Sequence, residues 1–340
     1  MQFSNPRTSA RARLKFLPAA LALAAATASG GAHACAACES TLSRDWETQG
    51  ISGSQGFVAD LSYSYLNQNR QRYGTGSASP ALIDRQLNAG QEIEAYTRTQ
   101  TLTATLMYND DTWGAGVQIP YLQRTHGTYG NTAPLGSGYS TSSDSGIGDI
   151  KVTGRYSGLS DDRSTGVILG VKLPTGNHSA NFSAGVAAGS PLDASLQIGT
   201  GSTDVVLGGY TTGTFGHHGW FVQGTVQRAV AIQNNFRPGD TIALNAGIRY
   251  AGFGARVSPM LQLNVINRQA DNGANATPPD PVTGGPTTGG TLVYLAPGAS
   301  VQVGGGGSVY AFLQLPVHQR VSSLQLVPKY TLTLGARMAF

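Results

Sequence analysis

The sequence predicts an all-β fold: a transmembrane antiparallel up-and-down β-barrel of about 12 strands, preceded by a cleaved signal peptide. Three observations predict it. Strand-length segments alternate apolar with small or polar residues at period two. In YTLTLGARMAF, Tyr330, Leu332, Leu334, Ala336, Met338 and Phe340 share one face, while Thr331, Thr333, Gly335 and Arg337 share the other. Only 12% of the residues are charged, against about 25% in soluble domains. Beyond the N-terminal segment, no uninterrupted apolar stretch approaches the roughly 20 residues of a membrane-spanning helix. An apolar outward face around an inward face of Thr, Ser, Gln, Asn and Gly is what lipid demands of a closed sheet.

The first element is the N-terminal segment. Arg7, Arg11, Arg13 and Lys15 precede an apolar run at 16–28 (FLPAALALAAATA), and Ala32-His33-Ala34 has the A-x-A form of a cleavage site. Residues 1–34 therefore read as a secretory signal peptide. Residues 35–55 follow as a periplasmic segment and 56–340 as the barrel. Removing those four basic residues from the 22 Lys and Arg leaves 18, which equals the 18 acids. The mature chain is neutral, and a nucleic-acid partner loses its support.

Strands are expected at 57–67, 95–108, 112–123, 147–157, 165–174, 202–212, 219–232, 240–250, 256–268, 291–303, 308–319 and 328–340. The connections after even-numbered strands are short, as in Asn109-Asp110-Asp111 and the glycines at 304–307. Those after strands 1, 3, 5 and 9 are long and rich in Gly, Ser, Pro and Asn. Sorting by parity matches a barrel with periplasmic turns and extracellular loops; a sandwich has no reason for it. Leu102, Ala104 and Leu106 are expected to face lipid opposite Thr101, Thr103 and Thr105. Ile242, Leu244 and Ile248 oppose Asn245 and Arg249, and Leu313 and Leu315 oppose Gln314 and His318. Tyr108, Trp113, Trp220, Tyr250, Tyr330 and Phe340 lie near strand ends, where interfacial girdles form.

The candidate functional residues are lumen-facing charges: Asp149, Lys151, Arg155, Lys172, Arg249, Arg256, Arg268 and Arg337, with Asp60 and Asp204 as further acids. Such groups tune which solutes pass a pore, or pair across the lumen as a brace. The basic excess on this list leans toward anions.

Three motifs carry a resemblance. Gly146-Ile147-Gly148-Asp149, Lys172-Leu173-Pro174-Thr175-Gly176 and Gly199-Thr200-Gly201-Ser202-Thr203-Asp204 resemble elements of the outer-membrane transporter family named for the MetA-pathway of phenol degradation. Val117-Gln118-Ile119-Pro120-Tyr121 fits as well, and the similarity spans about residues 50–340. It implies an outer-membrane channel for small solutes, with hydrophobic or aromatic compounds as cargo. The terminal aromatic strand also resembles the signature that the barrel-assembly machinery recognises, which makes that machinery an expected partner alongside outer-membrane lipid.

Cys35 and Cys38 form the only cysteine pair, a C-x-x-C outside the resemblance. In an oxidising compartment it closes as a disulfide, acts as a redox pair, contributes to metal transfer or, at Cys35, takes a lipid. The alternative function is accordingly a structural or redox-coupled barrel whose C-x-x-C engages a periplasmic partner or metal. Catalysis is not expected: His178 and Ser179 are adjacent in a loop, and no glycine motif has the Lys of a phosphate cradle. No residue pattern asks for a resident metal or cofactor.

Overall fold

A computed structural model describes residues 42, 55–129, 138–253 and 256–340. The signal segment 1–34 and Cys35 and Cys38 lie outside the described residues. The chain runs through β1 (Gly56–Gly74), β2 (Gly76–Ser77), helix α1 (Pro80–Asn88), β3 (Ile93–Asn109), β4 (Trp113–Tyr129), β5 (Tyr139–Ile147), β6 (Ile150–Tyr156) and β7 (Thr165–Leu173). It continues through β8 (Ala184–Gly185), β9 (Ser202–Phe215), β10 (His218–Ile232), β11 (Thr241–Tyr250), β12 (Val257–Arg268), β13 (Gly290–Gly304) and β14 (Gly307–Ala339).

The sheet closes on itself. Around the ring β1 pairs β3, then β4, β6, β7, β9, β10, β11, β12, β13 and β14 follow, and β14 returns to β1, every pairing antiparallel. Among the described residues, eleven elements make the ring and β2, β5 and β8 are additions to its rim. The 33 residues of β14 contain two legs. Its first leg pairs β13 and its second pairs β1, while Gln319 Nε2 donates to Pro328 O at 2.8 Å across the gap between them. Counted by legs the wall has the twelve passes that the sequence pattern predicts. The tight β13–β14 turn holds Gly304, Gly305 and Gly306 at φ +90, +57 and +77, a left-handed run that only glycine adopts without strain.

Among the described residues, short connections gather at one end (110–112, 157–164, 216–217 and 305–306) and long ones at the other (75–92, 174–201, 233–240 and 269–289). By the barrel rule the short-turn end is periplasmic and the long-loop end extracellular. The strands β1, β3 and β4, at 19, 17 and 17 residues, exceed the roughly ten needed to cross lipid and stand proud of the membrane on the loop side.

Facing follows alternation. Leu102 and Leu106 are 44% and 45% exposed while Thr99 and Thr103 are 4% and 3%. Ile242, Leu244, Leu313 and Leu334 point outward, and Asn245, Gln314 and Thr333 point to the axis. A girdle of aromatics follows the short-turn rim: Phe57 packs on Tyr108 at 5.1 Å and Phe340 at 6.1 Å, Tyr108 on Trp113 at 5.3 Å, and His218 on Tyr250 at 5.1 Å. An apolar belt this continuous has lipid as its solvent. His318 departs from expectation: a register shift opposite Val293 and Tyr294 puts both Val317 and His318 on the outer side, and Gln319 resumes the buried face.

Candidate functional site in the barrel lumen

The wall presents three polar groupings to its axis. The first is a file of amides on β10, β11, β12 and β14. Asn264 Nδ2 donates to Asn245 Oδ1 at 2.8 Å and to Gln262 Oε1 at 3.3 Å, Asn245 Nδ2 reaches Gln223 Oε1 at 3.4 Å, and Gln314 Nε2 donates to Asn264 Oδ1 at 3.2 Å. All five side chains are buried. Uncharged amides keep donors and acceptors on the axis without the cost of isolated charge.

The second grouping is a charge knot. Lys172 Nζ lies 3.2 Å from Asp149 Oδ2 and 3.0 Å from Asp204 Oδ2, with all three side chains at most 8% exposed. Asp149 also accepts from the backbone N–H of Gly176 and Thr200, both at 3.0 Å, and from the Thr200 hydroxyl at 2.6 Å. Asp204 accepts from Ser202 Oγ and Gln227 Nε2, each at 2.6 Å. Gly176 and Thr200 are the two ends of the long connection 174–201, so one carboxylate clamps both. The neck is tight: a Cβ on Gly199 would lie 2.3 Å from Gly176 C and O. Gly199→Ala is therefore expected to separate the two backbones and to cost about 1–3 kcal/mol, read as a lowered unfolding midpoint in detergent.

The third grouping is the connection itself, which folds into the lumen. Arg124 on β4, 5% exposed, donates from Nη1 to Leu196 O at 2.9 Å and Gln197 O at 2.8 Å, and from Nε to Thr99 Oγ1 at 3.1 Å. Phe182, Leu192 and Leu196 form a small buried cluster beneath it, and His126 lies 6.4 Å from Phe182. Gln197 ties the segment together through Ala180 N (2.8 Å), Ala180 O (3.0 Å) and Leu192 O (2.8 Å). Toward the short-turn end Leu42, from the N-terminal segment, packs with Met260, Ala296, Tyr310 and Phe312. At the loop end Gln86 of α1 donates to Asp280 Oδ2 at 2.9 Å.

The remaining charges fall into place by register. Lys151 and Arg155 share the inward face of β6 with Thr153, and Arg155 Nη2 donates to Asn109 Oδ1 at 2.8 Å. Arg249 lies across the space above Gly219, where a Cβ would meet its Nε at 2.7 Å. Arg268 Nη2 binds Asp271 Oδ1 at 2.5 Å. Arg337 is buried opposite Asp60, which accepts from the Tyr310 hydroxyl at 3.0 and 2.9 Å. Arg256 alone stands apart from the set: it is exposed in the turn before β12, not on the wall. With Lys172 flanked by two carboxylates and Arg268 held by one, much of the basic excess is compensated. His178 and Ser179 turn to different partners, the imidazole Nδ1 to Gly176 O at 3.3 Å and the hydroxyl to Asn177 Oδ1 at 3.0 Å.

Sequence reasoning singled out Asp149, Lys172 and Asp204, and the structure brings them together. It missed Arg124, although a lone arginine among strand threonines was a visible sign.

No family model and no curated protein matches the chain. Solved structures do. An outer membrane channel from Pseudomonas putida F1 superposes with a TM-score of 0.59 at 12% identity, over 85% of this chain and 97% of that one. The β domain of a Bordetella autotransporter gives 0.45 at 15% identity, over 84% and 100%. The Ralstonia pickettii toluene transporter gives 0.41 at 10% identity, over 84% and 90%. The first likeness shows the fold and the other two carry no further argument. Together with the lipid-facing belt and the aromatic girdle, that fold makes the chain a β-barrel of the bacterial outer membrane.

Proposed function

We propose that this barrel is an outer-membrane channel for small organic solutes. The observation that carries the reading is the amide file: five buried Asn and Gln side chains face the axis of a barrel whose outside is apolar. The file keeps uncharged donors and acceptors on the axis, where a permeating polar or aromatic solute can exchange hydrogen bonds with them. The inward connection 174–201 narrows the passage and restricts it to small molecules. Hydrophobic or aromatic compounds are the cargo class implied by the resemblance to the phenol-degradation transporter family, and the convergence of its three motifs on the neck of that connection supports the reading.

Reconstitution tests it. The purified barrel is expected to give low, ion-conducting steps in planar bilayers and to let phenol-sized solutes swell liposomes, with larger sugars excluded. A folded barrel that neither conducts nor admits any solute would remove the channel reading.

A further inference from the structure

A cavity of about 660 Å³ opens at the loop end, between the start of β3, the connections 174–201 and 269–289, and the hairpin tip of β14. Glu92, Glu94 and Asp193 line one side. Val186, Pro278, Leu324 and Leu326 supply an apolar side. No lysine or arginine lines it among the described residues. Acids alone would be a solvated face, but the cavity also holds polar atoms without a use. Gln325 lines it with a side chain 6% exposed, and neither amide atom has a hydrogen-bond partner among the described residues; Gln91 Oε1, also in the lining, likewise has none. Beneath them His126, fully buried, engages Thr97 Oγ1 through Nδ1 at 2.9 Å and leaves Nε2 without a hydrogen bond, 4.0 Å from Glu92 Oε1. Buried amides without partners are rare in native folds and point to a ligand that satisfies them.

We infer that this cavity is a binding site for a small organic ammonium ion with an apolar or aromatic body, held at the outer mouth before passage; the assignment as a solute rests on the channel reading above. The charge of the head group lies in the field of the acids that line the cavity, Glu92, Glu94 and Asp193, and its N–H donors meet the amide oxygens of Gln91 and Gln325. The apolar body lies against the proline and leucine wall, and the volume matches a single small ligand. An inorganic cation fits less well: no group of three or more His, Cys, Asp or Glu ligands able to hold a metal occurs among the described residues.

The test is calorimetric titration of the full chain, folded in detergent, with phenethylammonium chloride, benzyl alcohol, benzoate and calcium chloride. Phenethylammonium is expected to bind at least about ten-fold more tightly than the other three, a gap of about 1.4 kcal/mol. Asp193→Asn and Gln325→Leu, each checked for folding by its heat-modifiable mobility in gels, are expected to weaken binding about five- to ten-fold. Burial, with the charge of Glu92 adding and His126 opposing, pushes the Asp193 carboxyl up to about 6. Burial likewise pushes the Glu94 carboxyl up to about 7, so both groups lose their charge as the pH falls and affinity should drop between about pH 8 and 5; Glu92 and His126 are the other titratable groups that face Asp193. Equal affinity for the four probes, or no binding by a preparation that conducts in bilayers, overturns the site and leaves the channel standing. Selective binding by a preparation that never conducts keeps the site and removes its role as a solute station.

Discussion

Arg124→Ala is expected to open the pore. The wild-type guanidinium is the wall's grip on the inward connection, donating to Leu196 O and Gln197 O and steadied by Thr99. Hydrogen bonds from a charged donor contribute about 1.5–3 kcal/mol each. Losing two of them shifts the balance between the seated and displaced segment by about 3 kcal/mol or more, which is over a hundred-fold in population. The internal bonds of Gln197 and the Phe182–Leu192–Leu196 cluster remain, so the segment should move as a unit. In single-channel records the variant should spend at least about ten-fold more time in open events, and backbone amides 192–198 should exchange faster with solvent. Arg124→Lys keeps the charge but lacks the planar fork, so partial restoration is expected. Identical records for wild type and Arg124→Ala would mean that the connection is not the constriction.

How far this arrangement was legible depends on where each residue sits relative to lipid. Inside the apolar belt, the outward face must be hydrophobic and the alternation is enforced; the strands there agree with expectation to within a few residues. Above the belt, water bathes both faces and the constraint disappears. The nine residues of β5 (YSTSSDSGI) carry no period-two signal and predict a loop, although they extend along β4 the pass that β6 occupies. The tip 320–327 likewise read as a connection and is extended. α1 had local signals: Ser79 caps its N-terminus by accepting from Leu82 N, and Pro80 opens it. The surrounding loop composition masks them. In β7 the inward set Gly166, Ile168, Gly170 and Lys172 is mostly apolar or small, which blurred its facing. The three motifs were visible as words, but only the fold brings Gly148, Gly176 and Gly199 to one neck. Glu92, Glu94 and Asp193 left no mark in the sequence, because a cavity shared by three connections has no spacing rule.

The knot at that neck makes the second large prediction. Lys172→Met should destabilise the barrel by about 3–5 kcal/mol, because it leaves two carboxylates facing each other in a dry part of the wall. The magnitude reflects desolvated charge, not the net strength of the ion pair. A second change that removes the stranded charge should therefore restore stability: Lys172→Met with Asp204→Asn is expected to recover more than half of the loss, since Asn keeps one oxygen to accept from Gln227 Nε2 and its amide N–H can donate to the Ser202 hydroxyl. Asp149 is the wrong partner to neutralise, as its oxygens hold Gly176 N and Thr200 N and thus the ends of the inward connection. Lys172→Met with Asp149→Asn should regain less stability and should raise open time in the same records as Arg124→Ala. Denaturant unfolding in detergent, followed by tryptophan fluorescence, measures the first effect. A loss below about 1 kcal/mol for Lys172→Met would mean that lumen water screens the knot, and the clamp would then have to reside in the backbone contact between Gly176 and Gly199.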